Sequence, residues 1–361
     1  MVNVAFCIDD NFAPYLAVSI ASLIENTSSY VAIHVIGNLS DEVKKALSMH
    51  VKDKAELNFV AFDERFTQGE LSERYHGRLN GITFIRYALA EILPHLNKVI
   101  YLDADILVTG DIKTLWDQSI GDNLVGVVED HSLMSQNRPE KIGLTQGTYF
   151  NAGVMLIDLA AWRENDTFQQ LTRVHGSRRQ WEYNDQDVLN KALDGKAFYL
   201  DAKFNAQTYT LAHSDVTAPI VVHFTGQEKP WHLSSAHPYT EQYRALFDDV
   251  PFENNTLSLF LDNEDIAILE KLKQTFVTSG QIIIWGAGAR GRRIIKALEQ
   301  KCPHIVIKQV VDSYLTGKCF SFSIVPPDNM ATDNVEAVVV ATLPQKAEIT
   351  HLLRRRALTV I

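Results

Sequence analysis

Little in this chain suggests a secreted or membrane-spanning protein. It holds three cysteines, Cys7, Cys302 and Cys319. An odd count without paired spacing argues against a disulfide framework or a cysteine-ligated zinc site and favours a reducing compartment. No apolar run approaches the ~18–20 residues that span a bilayer. No charged start followed by an apolar stretch precedes the first strand, so no signal peptide is expected. Excess positive charge is also missing. The formal net charge of −10 speaks against general affinity for nucleic acid, whose phosphates reward clustered Lys and Arg, while leaving room for local basic patches. Internal repeats and low-complexity segments are absent. The expected location is the cytoplasm, with at most peripheral contact at the inner face of a membrane.

What is present is an ordinary globular composition in a long chain. The 361 residues are 46% hydrophobic and 22% charged, enough to bury a normal core in one large and one small domain. Strand and helix signals alternate through the first half. Val2 to Ile8 is an apolar run, followed by a helical pattern with Pro14 in its first turn and Leu16, Ile20, Leu23 and Ile24 on one face. Val31 to Ile36 and Leu57 to Phe62 read as strands, separated by a helix that Ser40 would cap. Ile82 to Leu93 reads as a helix stopping before Pro94, and Lys98 to Leu102 as a further strand. This order implies a largely parallel sheet covered by helices. Such sheets bind ligands beyond the carboxyl ends of their strands, where Asp9-Asp10 and Asp103-Ala104-Asp105 fall.

In a continuing strand, residues two apart face the same side, so Asp103 and Asp105 would converge on one cation. Hard divalent ions such as Mg²⁺ and Mn²⁺ favour such oxygen ligands and keep positions open for phosphate. An Asp-x-Asp is equally common in solvated turns. The late strand Ile220-Val221-Val222-His223-Phe224 offers an imidazole, which would favour Mn²⁺, although a lone histidine there also reads as half-buried packing.

Residues 1 to about 245 resemble glycosyltransferase family 8, which includes glycogenin and the bacterial lipooligosaccharide α-galactosyltransferases. The resemblance rests on Cys7-Ile8-Asp9-Asp10-Asn11, Thr83-Phe84-Ile85-Arg86-Tyr87, Val99 through Asp105, Tyr149-Phe150-Asn151-Ala152-Gly153-Val154, Asn184-Asp185-Gln186-Asp187 and His223 through His232. It implies a GT-A fold, the Rossmann-like mixed sheet of nucleotide-diphospho-sugar transferases. It also implies a UDP-sugar donor, a Mn²⁺ cofactor and retention of anomeric configuration. Carried over by position, it makes Asp103, Asp105 and His223 the metal ligands. Asp9 and Asn11 would lie near uracil and ribose, and Ala104 by its backbone against the nucleotide. Gly226 and Lys229 would hold the diphosphate, while Arg86, Asn151, Asp185 and Gln186 would surround the transferred sugar. Phe12 keeps a base-stacking ring where the family often carries tyrosine.

Each position has a plainer reading. A strand-end Asp9 is an ordinary helix cap, Arg86 among apolar neighbours a snorkelling side chain, Gly226 a turn and Trp231 buried packing. By the same resemblance Gln186 stands where a covalent nucleophile would be required. An amide oxygen is a poor one, so front-face substitution is expected. The acceptor would be a glycan or a lipopolysaccharide-type glycolipid. The basic, aromatic stretch Arg173, Arg178, Arg179, Trp181 and Tyr183 is a candidate for meeting it, or simply a solvated face. The run Arg354-Arg355-Arg356 reads as the end of an amphipathic helix.

Beyond residue 250 the character changes. Expected domains are a transferase domain at 1–250, a linker at 251–262 and a Rossmann-like domain at 263–361. The last carries Gly286-x-Gly288-x-x-Gly291 between an apolar strand and a helical pattern, with Asp312 21 residues beyond Gly291 after the strand Ile305 to Val311. This is the context of a dinucleotide fingerprint, with NAD or another nucleotide as a candidate ligand and a purely structural module as the rival. Two further readings of the whole chain stand beside transfer: a non-catalytic nucleotide-sugar or glycan-binding protein, and an NAD-dependent sugar oxidoreductase working through the C-terminal domain.

Overall fold

The computed structural model describes residues 1–49, 51, 54–61, 85–178, 180–252, 256–342, 346–355 and 358–361. Thr83, Phe84 and the start of the expected helix at Ile82 lie outside the described residues, as do Phe62, Arg179, Arg356 and positions 253–255 of the expected linker.

The chain divides into two units. The first comprises Met1–Gly226 and Glu241–Asn255, the second Gln227–Thr240 and Thr256–Ile361. A single break at 251–262 does not describe this division, because the segment Gln227–Thr240 groups with the C-terminal strands. Its backbone is bound there: Ser258 N–H donates to Trp231 O at 2.9 Å and Leu233 N–H to Ser258 O at 2.8 Å. Arg292 adds donors to the carbonyls of Ser234 at 2.7 Å and Ser235 at 3.2 Å.

The first unit is built on strands β1 (Val2–Cys7), β2 (Val31–Ile36), β3 (Ala55–Val60), β4 (Lys98–Leu102), β5 (Ile106–Val108), β6 (Val125–Glu129), β7 (Phe150–Asp158), β8 (Ala197–Tyr199), β9 (Ala206–Gln207) and β10 (Val221–His223). Seven form one sheet in the order β3-β2-β1-β4-β7-β6-β8. Pairing is parallel from β3 to β4 and between β6 and β8, and antiparallel where β7 meets β4 and β6. The sheet is thus largely parallel, as the strand order implied, and mixed, as the GT-A resemblance implied. Strand β2 is buried at every position, as a sheet covered on both faces requires. The helix Ala13–Asn26 opens with Pro14 in its first turn and buries Leu16, Ile20 and Leu23, spacings that line one helical face. Ser40 Oγ accepts from Val43 N–H at 3.3 Å, capping the next helix as expected.

Strands β5, β9 and β10 form a separate small sheet in the order β5-β10-β9. His223 therefore lies outside the main sheet, on a strand antiparallel to β5. Residues Asp103–Asp105 do not continue β4. The chain bends there, leaving the main sheet for the small one.

The second unit carries β11 (Gly280–Trp285), β12 (Ile305–Val311), β13 (Lys318–Cys319), β14 (Phe322–Val325), β15 (Ala337–Val340) and β16 (Thr359–Val360), ordered β13-β14-β12-β11-β15-β16. All pairs are parallel except β13 with β14. The run Ile282 to Trp285 is wholly buried, and the helix Ala289–Lys301 follows the glycine turn. Among the described residues, no helix is long and apolar enough to cross a membrane.

Candidate active site

Asp103 and Asp105 meet through the bend, not through strand alternation. Asp103 N–H still donates to Gly153 O at 2.8 Å, one step beyond the β4–β7 ladder, and Phe224 N–H donates to Asp105 O at 3.1 Å, one step beyond β5–β10. Asp103 thus ends one sheet and Asp105 begins the other. Ala104 turns between them, its carbonyl 2.8 Å from Ser19 Oγ, which also lies 3.0 Å from Ile106 O. The helix Ala13–Asn26 pins the bend from behind.

Strand β10 brings His223 to the same point. Its Nε2 lies 3.4 Å from Asp105 Oδ1 and 3.9 Å from Asp103 Oδ2. One ligand atom from each of the three residues lies within 4.8 Å of the others. An octahedral ion with bonds of about 2.1 Å sets neighbouring ligands about 3 Å apart and opposite ones about 4.2 Å apart. The two His223 separations fall between these values, so the three groups need only small side-chain shifts to close on such an ion. Gly153 makes the approach possible: a Cβ there would stand 2.2 Å from His223 Cε1 and 2.7 Å from Asp103 Oδ2. Its role had no separate sequence signal, only its place in the Asn151-Ala152-Gly153 stretch.

Arg86 does not snorkel. Its Nη2 donates to Asp103 Oδ1 at 3.1 Å, its Nη1 lies 2.9 Å from Asp185 Oδ2, and the guanidinium sits 4.8 Å from the centre of the Tyr101 ring. Burial opposes the Arg86 charge, yet Asp185, Tyr101 and Asp103 hold it well above the ordinary value. Burial raises the Asp185 carboxyl, with Arg86 opposing and Asp103 reinforcing the shift. Tyr101 Oη donates to Asp103 Oδ1 at 2.6 Å. One oxygen of Asp103 is thereby held by Arg86 and Tyr101, while the other faces His223.

The three residues Asp185, Gln186 and Asp187 point three ways from the start of the helix Asn184–Ala192. Asp185 meets Arg86. Gln186 accepts on Oε1 from Ala152 N–H at 3.0 Å and Asn151 Nδ2 at 3.2 Å, and donates to Asp130 Oδ2 at 3.1 Å. Asp187, fully buried, receives a two-point ion pair from Arg138, a hydrogen bond from Tyr149 Oη at 2.8 Å and one from Tyr183 N–H at 3.0 Å. Asp187 anchors the turn so that its two predecessors face the site. Asp130, 6% exposed, was not foreseen. Its other oxygen caps Leu133 N–H at 3.0 Å.

The remaining expected residues divide between the units. Asp9 Oδ1 accepts from Asn11 N–H at 3.0 Å and Phe12 N–H at 3.3 Å, the plain capping role. Asn11 and Phe12 are exposed, with Phe12 edge-on to Tyr15 at 5.8 Å. Gly226 closes the first unit at φ +87°, with no atom within 4 Å of where a Cβ would stand. Lys229 belongs to the second unit, where its N–H donates to His232 Nδ1 at 3.1 Å. Trp231 is buried, as packing and not as an open platform. Trp181 is buried too and donates to His175 O at 3.1 Å, so the stretch around Arg178 presents no exposed indole.

Comparison with known proteins bears on this geometry. The family model described as Glycosyl transferase family 8 matches residues 3–234. General stress protein A of Bacillus subtilis is 27% identical over 67% of this chain and 92% of its own length. Lipopolysaccharide 1,3-galactosyltransferase of Salmonella typhimurium is 28% identical over 71% of this chain and 80% of its own. Among solved structures, the galactosyltransferase LgtC in complex with donor and acceptor sugar analogs is 27% identical, with a TM-score of 0.62 over 74% of this chain and 99% of that one. The first unit thus has the GT-A fold that the resemblance implied.

Proposed function

Because the chain belongs to glycosyl transferase family 8, and is therefore a glycosyltransferase, we propose that it moves a hexose from a UDP-sugar to a hydroxyl of a glycan or lipopolysaccharide-type acceptor, with retention and with Mn²⁺. The observation that carries this reading is the convergence of Asp103, Asp105 and His223 within 4.8 Å. These residues would hold the ion, their mixed oxygen and nitrogen donors suiting Mn²⁺. Bound there, a divalent cation neutralises charge on the departing diphosphate. Asp9, Asn11, Phe12 and the Ala104 backbone take the nucleoside, and Gly226 the diphosphate. The names of relatives specify both galactosyl and glucosyl transfer, so the donor is left as a UDP-hexose.

The residues around the sugar favour front-face substitution. Gln186 Oε1 already accepts two hydrogen bonds, which lowers further the nucleophilicity of an amide oxygen. Asp185 is bound to Arg86. The bond from the anomeric carbon to the phosphate oxygen breaks as the acceptor oxygen bonds on the same face. The acceptor proton passes to the departing phosphate oxygen. Asn151 and Gln186 orient the sugar and stabilise its cationic character by their dipoles. The test is a donor screen by UDP release, with Mn²⁺ and with chelator, followed by mass spectrometry of the product and of the protein. A covalent sugar on Gln186 or Asp185 refutes the front-face route; no UDP release from any UDP-hexose refutes the donor assignment.

A further inference from the structure

We propose that Asn205 is a positioning residue for His223: together with Asn151 it fixes the imidazole tautomer that presents the Nε2 lone pair to a cation held by Asp103 and Asp105. The proposal rests on the reading of His223 as a metal ligand given above.

The direction of each hydrogen bond follows from one backbone group. Gly153 N–H can only donate, so the atom it meets on Asn151 at 3.0 Å is the amide oxygen. The same oxygen receives the amide nitrogen of Asn205 at 3.0 Å. The other end of Asn205, its oxygen, is thereby turned to His223 Nδ1 at 3.0 Å. An amide oxygen only accepts, so Nδ1 carries the hydrogen. A neutral imidazole has one N–H, which leaves Nε2 bare toward Asp105 and Asp103. A metal-binding histidine needs this arrangement, with its far nitrogen bonded to a fixed acceptor. Burial closes other routes: Asn205 is 0% exposed, His223 4% and Asn151 6%, so bulk water does not compete. The backbone holds the pair together, since Asn205 ends the short helix Ala202–Asn205 and β9 then runs parallel to β10 with Ala206 opposite Val222.

Asn151 also has a second task. Ala152 N–H marks the oxygen of Gln186 at 3.0 Å in the same way, and Asn151 Nδ2 donates to it at 3.2 Å. Two adjacent backbone N–H groups on β7 therefore orient the amides of Asn151 and Gln186 directly, and that of Asn205 through Asn151.

The decisive measurement is the ring ¹⁵N spectrum of His223 in the full-length, metal-free protein at pH 8, assigned with a His223→Gln control. The expected result is the Nδ1–H form; the Nε2–H form overturns the proposal. Mn²⁺ binding is then titrated by electron paramagnetic resonance in the presence of UDP. Asn205→Ala, checked for wild-type thermal stability, should bind Mn²⁺ about 10–100-fold more weakly and lose the single-tautomer signature. Asn205→Asp keeps the acceptor for Nδ1 but not the donor to Asn151, and should weaken binding less. If Asn205→Ala does not fold, Asn205→Ser supplies the comparison. A folded variant with wild-type affinity and tautomer overturns the positioning role. Failure of the parent reading looks different: the wild-type chain itself then binds no Mn²⁺.

Discussion

Around Asp103 charged groups gather on a common centre, whereas around Gly288 they neutralise one another. Both places carry a sequence signature for nucleotide chemistry at the end of a parallel strand. In the first unit, two carboxylates and an imidazole face inward, and only one oxygen of Asp103 is held by Arg86 and Tyr101. In the second, Asp312 accepts from Ala287 N–H at 2.8 Å and from Tyr314 and Leu315 N–H at 2.9 Å. Both oxygens of that acid thus accept from backbone donors. Arg290 is bound to Asp262, Glu264 and Asp265, and Arg293 to Asp262 and Asp265. A pocket of about 440 Å³ lies over this turn, but its two arginines are already paired with acids and its Asp312 with backbone N–H groups. A glycine fingerprint specifies backbone geometry; ligand chemistry depends on the side chains left facing the space.

Glycine substitutions test that contrast most severely. Gly153→Ala forces His223 and Asp103 apart, since the new methyl would stand 2.2 Å from the imidazole and 2.7 Å from the carboxylate. Loss of cation binding removes several kcal/mol of charge stabilisation, so metal-dependent UDP release should fall about 10³-fold or more. Gly288→Ala meets no atom within 4 Å and should leave release within about twofold. If the two variants behave alike, the contrast is broken.

Gly291→Ala asks whether the second turn serves packing. Its methyl would lie 1.8 Å from Gly286 O, a backbone atom that cannot swing away. A destabilisation of about 1–3 kcal/mol is expected, read as a lowered unfolding midpoint. Should the variant keep its stability and lose only nicotinamide or nucleotide binding, the turn is a ligand site after all.

Asp130→Asn probes the first unit more gently. Gln186 Nε2 keeps its neighbour but loses a charged acceptor, and Asn151 is loosened with it. About 1.4 kcal/mol of orientation is at stake, a tenfold fall in kcat with KM for the UDP-hexose little changed. On the proposed front-face route, in which Gln186 orients the sugar and forms no bond to it, Gln186→Ala should slow transfer further yet leave measurable activity. An equal rise in KM would move Asp130 from positioning to donor binding.

These residues also mark how far the sequence could be read. The bounds of β4 are those of its apolar run, because near-continuous burial fixes a strand on its own, whereas β12, with Val306 and Lys308 exposed, is held by its pairing with β11 and β14. The family resemblance supplied the candidate ligand set. It did not supply the route by which Asp103 and Asp105 meet, since the bend at Ala104 depends on Ser19 from a helix 85 residues earlier. Asn205 and Asp130 escaped for the same reason: Asn205 meets Asn151 across 54 residues, and Asp130 meets Gln186 across 56. Local pattern carries no trace of such pairings. The motif that runs on from His223 places the segment Gln227–Thr240 with the transferase strands, whereas its backbone partner Ser258 lies farther along the chain.

The smallest expected effect separates the units by acid sensitivity. Burial lowers His175 in the first unit, and His232 and His237 in the second, from 6.5 to about 4, with Lys229 and Arg293 adding to the shift at His232. Between these values the unfolded chain binds protons that the folded chain refuses. The stability these neutral rings contribute is therefore complete above pH 6.5 and is lost progressively as pH falls toward 4. Asp262, held below the usual carboxylate value despite burial by the Asp265 backbone and by Arg290 and Arg293, adds its own loss only at still lower pH. Two of the three histidines pushed to about 4 lie in the second unit, while the first holds one of them and His34, which burial lowers by less, so the unfolding transition of the second unit should move down more than that of the first. Scanning calorimetry at pH 7.5, 6 and 5 reads this directly. Midpoints that stay level across that range would mean that the three rings are hydrated in the folded chain, and the distinction between the units would then rest on their ligand chemistry alone.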